Sequence, residues 1–250
     1  MMRHLLPALA VLATTLAMGA HADEALKAKL EAAMASDIRT ADEKARDANR
    51  KPIETLTFFG LKDNMRVLEL MPGGGWYTKL LAPVLADNGQ LFVAIGTTNV
   101  AALVENGTLK NVNVLQNEGE FVRPDGQRRF QINGLRIPAT DIDLALTFRN
   151  VHNFTEEGRR SLNEEVFRVL KSGGLYGVVD HTRRHMQEDN SENWRRMDPV
   201  QMIKEIEDAG FEFVDYSTLH YIYDDELRYE VGRKSVTGNS DRFTLLFRKP

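Results

Sequence analysis

The stretch Val67–Pro83, VLELMPGGGWYTKLLAP, decides the fold. An apolar run from Val67 to Met71 meets Pro72 and three glycines, Gly73, Gly74 and Gly75, and passes at once into residues of helical pattern. A buried strand turning tightly into a helix is the opening unit of a parallel α/β sheet. Glycines at such a turn let the backbone approach a ligand, and the following helix offers unpaired N–H groups and a positive dipole end. No Gly-Lys-Ser/Thr follows, which excludes an ATP-binding P-loop. A tight turn with no ligand fits the three glycines equally well, so the run alone leaves both readings open.

Outward from this turn, buried strands and helices alternate. RVLELM (66–71) precedes a helix from about Trp76 to Leu85, and LFVAI (91–95) precedes a short helix near Asn99–Glu105. VNVL (112–115), DLALTF (143–148) and LYGVVD (175–180) are further strands. Such alternation predicts one doubly wound α/β sheet with crossover helices. EFVRPDGQRRFQI, with its Pro-Asp-Gly turn, reads as an inserted hairpin. Thr155 can cap a helix whose first turn carries Glu156 and Glu157, with Leu162, Val166, Phe167 and Leu170 on one face and Gly173 as its stop. Pro199 to Ala209 is another helix, and FEFVDY and the terminal RFTLLF are strands.

Three segments follow. Residues 1–22 carry Arg3, an apolar run from Leu5 to Met18 and Ala20-His21-Ala22, the pattern of a secretory signal peptide cleaved after Ala22. The run is broken by Pro7, Thr14 and Thr15 and is shorter than the ~20 apolar residues a span needs, so no stable membrane insertion is expected after cleavage. Residues 23–51, rich in Ala, Glu, Lys, Arg and Asp, predict a polar helical extension lying over the ligand side of the sheet. Residues 52–250 form the α/β domain, with Pro52 at a first helical position.

The formal net charge of −4 gives no basic field and disfavours nucleic acid as partner. The absence of cysteine excludes disulfides, thiolate metal sites and an N-terminal lipidated Cys. With the export signal, this predicts a periplasmic protein.

Ligands of open α/β sheets sit beyond the carboxyl ends of the strands, where strand order reverses. Those ends here are Glu69–Gly75, Gly96–Asn99, Arg149–Phe154 and Asp180–His185. His152 can act as a general base or as a hydrogen-bonded structural histidine. Asp180, His181, His185 and His152 offer an oxygen and nitrogen set for a divalent metal, provided that HTRRH is helical. Arg183 and Arg184 inside that motif would repel a cation, so no metal is assigned. Trp76 and Tyr77 can wall a substrate pocket or join the core.

In order, VLELMPGGGWYT, DIDLALTFRNVHNF and SLNEEVFRVLKSGGLYGVVDH resemble the first, fourth-strand and fifth-strand motifs of the class I S-adenosylmethionine-dependent methyltransferases. With RDANRKPIETLTFFG and the closing DRFTLLFRKP, the chain looks like an exported proteobacterial subgroup of predicted methyltransferases. The resemblance implies a Rossmann-like sheet of seven strands with the last antiparallel and S-adenosylmethionine as cofactor; it does not identify the methyl acceptor, for which a small molecule is favoured. It assigns Glu69, Met71, Gly73, Gly74, Gly75, Thr97, Asn99, Arg149 and Asn150 to the cofactor, Trp76, Tyr77, Asn153 and His181 to the substrate, and His152 and Asp180 to catalysis. Glu69 would bond the cofactor's amino group or fix the loop's backbone N–H groups. Two departures stand out: Met71 and Pro72 occupy the place of the family's first glycine, and Gly96, Thr97, Thr98 and Asn99 stand where the family has a ribose-binding acid. An exported ligand-binding protein on the same scaffold, without transfer activity, is the alternative.

Overall fold

The computed structural model describes residues 24–250, and the export segment expected at 1–22 lies outside them. Short helices lead into the domain: α1 (24–35), α2 (Ala41–Lys44), α3 (Asp47–Arg50) and α4 (Pro52–Phe58). The first crossover units are β1 (Arg66–Leu70), α5 (Thr78–Leu85), β2 (Gln90–Ala94), α6 (Thr98–Glu105) and β3 (Val112–Val114). The antiparallel hairpin β4 (Glu118–Val122) and β5 (Gln131–Arg136) follows, then β6 (Ile142–Phe148), α7 (Glu156–Val169) and β7 (Leu170–His181). The chain closes with α8 (Pro199–Glu207), β8 (Glu212–Ser217) and β9 (Arg242–Arg248).

The main sheet has seven strands in the order β3-β2-β1-β6-β7-β9-β8. Strands β3, β2, β1, β6 and β7 run parallel, and β9 enters between β7 and β8 antiparallel to both. Strand order reverses between β1 and β6, which opens a crevice at their carboxyl ends. This is the seven-stranded architecture expected of a class I methyltransferase.

Period-two alternation sorts the strands' side chains to two cores. Leu68, Leu70, Ala145, Tyr176 and Val178 face one side with Leu162, Val166 and Val169 of α7, Met202 and Ile206 of α8, and the hairpin's Ile132 and Leu135. Val67, Leu91, Val93, Leu144, Leu146 and Val179 face the other, under α4, α5 and α6. Residues 24–51 differ from the polar arm expected: Leu26, Leu30 and Ala33 of α1 are buried in this second core. Anchoring on one apolar stripe lets α2 and α3 lie over the crevice.

Two boundaries also differ from expectation. Trp76 and Tyr77 belong to the turn, and α5 begins at Thr78. Helix α7 ends at Val169 because Leu170 already pairs with Ile142 in β7, leaving Gly173, φ 76°, in an irregular opening of the strand. Thr155 caps α7 as expected, its Oγ1 accepting from Gly158 N at 3.1 Å.

Gly177 of β7 faces Phe59, and a Cβ added there would fall 2.7 Å from the ring. Phe59 is fully buried and tilted against Phe148, so it has little freedom to yield. Gly177→Ala should therefore destabilise the fold by about 1–3 kcal/mol through overpacking, read as a lower urea midpoint. An unchanged midpoint would show that the Phe59 layer is loosely packed.

Candidate functional site

At the β1–β6 switch point lies a cavity of about 220 Å³ whose wall includes Glu69, Met71, Pro72, Gly73 and Gly74 from the β1 turn and Phe148, Arg149 and Asn150 from the end of β6. Trp76 and Tyr77 close its back, and Glu43, Arg46 and Arg50 of the leading helices complete it.

The backbone is held under strain here. Strands β1, β2 and β6 run out through left-handed residues: Met71 at φ 53°, Ile95 at 65° and Arg149 at 61°. Each costs about 1–2 kcal/mol relative to a right-handed conformer, and such residues cluster where a site must aim its backbone. Met71 thus keeps the conformation in which glycine would be at ease. Asn150 stitches the two strand ends together, its Nδ2 donating to Met71 O and Phe148 O, both at 3.1 Å. Gly73 is itself left-handed, φ 56°, whereas Gly74 is not, and a Cβ at either would meet nothing within 4 Å. The glycine floor is open. Gly75 differs: it does not line the cavity, and a Cβ there would lie 3.3 Å from Val100.

Glu69 is fully buried and accepts a 2.6 Å hydrogen bond from Thr78 Oγ1 on one oxygen. The other oxygen takes no hydrogen bond from the described residues. The carboxyl therefore grips the first turn of α5 instead of the loop's backbone N–H groups. Burial pushes it up to about 7, against the stabilising hydrogen bond of Thr78 and the charge of Arg50. Arg50 lies 4.3 Å over the Trp76 ring and is itself pushed down to about 8 by burial and by Arg149, Arg46 and Arg242. Its backbone is pinned from far along the chain, since Arg50 O lies 3.0 Å from His220 Nε2. Trp76 Nε1 donates to Glu43 O at 2.9 Å and Lys79 Nζ reaches Glu43 Oε1 at 2.9 Å, so α2 is locked over the cavity mouth. Tyr77 stacks on Phe148 with centroids 3.5 Å apart. Trp76 and Tyr77 are thus both core and cavity wall.

His152, Asp180 and His181 come together beside the cavity without lining it. Asp180 accepts from His152 N at 3.1 Å and His181 N at 2.7 Å, and its Oδ1 lies 2.7 Å from His152 Nδ1. An oxygen already serving as acceptor assigns the proton to Nδ1, which leaves His152 Nε2 as the basic nitrogen. His181 lies 5.7 Å from His152 between ring centroids, with Nδ1 at 2.8 Å from Ser240 Oγ. Burial, with His152 and Arg149 beside it, holds His181 well below the ordinary histidine range and hence neutral. Asn153 contributes its carbonyl, accepting from Phe130 N at 2.7 Å to fasten the hairpin.

Several expected residues fall elsewhere. HTRRH is not helical, and His185 turns away to Asp198 at 2.9 Å, so the four-donor metal set is not assembled. Among the described residues no group of three or more His, Asp or Glu side chains converges on a point. Thr97 and Asn99 lie at the start of α6 and do not line the cavity. Sequence reasoning missed Glu43, Arg46, Arg50 and Phe148; the one local signal was Arg46 and Arg50 four residues apart, which places them on one helical face.

The fold matches solved structures, methyltransferases among them. A SAM-dependent methyltransferase from Aquifex aeolicus superposes with a TM-score of 0.57 at 20% identity, covering 81% of this chain and 92% of its own. The cyclase SpnF gives 0.53 at 18%, covering 81% and 80%. Human N-acetylserotonin methyltransferase in complex with SAM gives 0.53 at 16%, covering 84% of this chain and 54% of its own. Comparison of the sequence with protein-family models and with curated proteins finds no match. The architecture is that of the class I methyltransferases.

Because Glu69 is pushed up relative to an unfolded glutamate, the native state holds its proton more tightly and stability is withdrawn as pH rises from about 4.5 to 7. Glu69→Gln should match the parent near pH 4.5 and exceed it by about 2–3 kcal/mol at pH 8, measured by urea unfolding at both pH values. A constant difference would mean that the carboxyl is ionised throughout.

Proposed function

We propose that the protein is an S-adenosylmethionine-dependent methyltransferase acting on a small molecule. One observation supports this most: a buried acid with a free oxygen, Glu69, stands beside a cation, Arg50, over an open glycine floor at the switch point of this fold. The amino-acid end of the cofactor is a zwitterion, and this pair complements it, Glu69 for the ammonium and Arg50 for the carboxylate. The cavity of about 220 Å³ suits that end, with the adenosine running outward past Gly96, Thr97 and Asn99. When bound, the cofactor supplies an electrophilic methyl group. The chain's own residues would orient and desolvate it, and His152 Nε2, held in the right tautomer by Asp180, would take the acceptor's proton.

The alternative, a ligand-binding protein without transfer activity, draws on one feature: no acid follows β2 for the ribose, and the hydroxyl or amide of Thr97 or Asn99 would bind it more weakly. On the same proposal residues 1–22 act as an export signal and the protein works in the periplasm, as the resemblance to an exported proteobacterial subgroup implies. No described helix is long and apolar enough to cross a membrane.

Calorimetric titration with S-adenosylhomocysteine tests the reading, with Gly74→Val as control. Position 74 is the better choice because a branched residue at Gly73 would be strained by its left-handed backbone whatever the ligand does. Micromolar binding, weakened at least about tenfold in a Gly74→Val protein of unchanged melting temperature, is expected; no binding by the parent would favour the alternative. If His152 is the base, His152→Ala lowers the methylation rate by about 100-fold or more while cofactor affinity holds. Equal losses in both would make it structural.

A further inference from the structure

The methyl-transfer reading leaves the acceptor's chemistry open, and the charge around the cavity narrows it. Arg46, Arg50 and Arg149 line the cavity, and Arg242 stands behind them, donating to Asn49 O at 3.0 Å and Ser240 O at 3.1 Å. None of the four forms an ion pair with a described carboxylate. Other arginines of this chain behave differently: Arg39 is paired with Asp47 and Arg196 with Asp225. The acids near the four are few. Glu43 is neutralised by Lys79, while Asp180 and Asp241 offset Arg149 and Arg242 in part without touching them, which leaves Arg46 and Arg50 the least compensated. Glu69 is the one acid lining the cavity that no cation pairs directly.

S-adenosylmethionine cannot balance this excess, because its sulfonium and ammonium outnumber its single carboxylate. Loading the cofactor makes the site more positive. Like charges held in a half-buried cleft repel strongly where the effective dielectric is low. A site built this way gains most from a ligand that brings negative charge.

The arginines also divide by position. Arg50 sits on Trp76 and acts on Glu69, on the cofactor's side. Arg149 follows β6 directly and stands three residues before His152 in the chain, while it also faces Arg50, whose charge it opposes.

We infer that the methyl acceptor is an anionic small molecule whose carboxylate or phosphate is held by Arg46 and Arg149 on the solvent side of the cavity, outside the space given to the cofactor's amino-acid end, with its nucleophile directed toward His152. The inference rests on the methyltransferase reading. Guanidinium groups bind such oxyanions through paired N–H donors, so register and charge are supplied together. Arg46 is exposed and Arg149 half-buried, and a neutral acceptor of the same shape would leave both guanidinium groups without an ionic partner.

The test titrates the protein saturated with S-adenosylhomocysteine, which is neutral overall, with inorganic phosphate and with benzoate at constant ionic strength. The loaded protein should bind at least one of them, the preferred anion telling a phosphorylated from a carboxylated acceptor. Arg46→Gln/Arg149→Gln should weaken anion binding at least about tenfold while S-adenosylhomocysteine affinity changes less than about threefold. Arg149→Lys, which keeps the charge and loses the fork, should fall between, and guards against a double variant that fails to fold. Displacement of S-adenosylhomocysteine by the anion would assign the arginines to the cofactor's own carboxylate and overturn the inference. Failure of the loaded protein to bind either anion would also overturn it. Failure to bind S-adenosylhomocysteine at all would instead sink the methyltransferase reading, and anion binding to the unloaded protein, lost in the double variant, would show the arginine site standing without it.

Discussion

The hydrogen bond from Thr78 to the buried Glu69 carboxyl, 2.6 Å long, fixes the end of β1 to the first turn of α5. Between its two ends lies the whole glycine turn, and through Asn150 that turn is joined to the end of β6. The arrangement commits one carboxyl oxygen to structure and leaves the other to the cavity. Because the acid is fully buried, the site holds a group near its titration point in the free protein, ready to become a carboxylate when a cation arrives.

Strain and charge are concentrated around the same turn. Left-handed Met71, Ile95 and Arg149 sit at adjacent strand ends, and Arg46, Arg50, Arg149 and Arg242 converge there without carboxylate partners. Both are unfavourable in themselves, and the two cores on either face of the sheet supply the stability that permits them. The leading helices take part in this balance, since Leu26, Leu30 and Ala33 anchor a segment whose other face carries Glu43, Arg46 and Arg50.

The strands and their order of appearance were legible in the sequence, because apolar runs such as LFVAI and DLALTF are punctuated by glycines and polar loops that leave little freedom of assignment. The start of α5 was not, since Trp76 and Tyr77 look helical yet are drawn into the turn by Glu43 O and Phe148. The glycine floor and Glu69 were visible through the motif around them. The cationic wall was hidden, because Arg50 owes its position to His220, 170 residues away, and such a contact leaves no local trace. For the same reason HTRRH could suggest a metal site that the fold does not build: Asp198, distant in sequence, captures His185.

A crystal structure of the protein with S-adenosylhomocysteine tests whether Glu69 and Arg50 receive the amino-acid end of an adenosyl cofactor over Gly73 and Gly74. The ligand's ammonium should lie on the free oxygen of Glu69, its carboxylate on Arg50 and its adenosine should extend toward Gly96. A ligand lodged elsewhere, or one whose amino-acid end avoids the Glu69 and Arg50 pair, would contradict it.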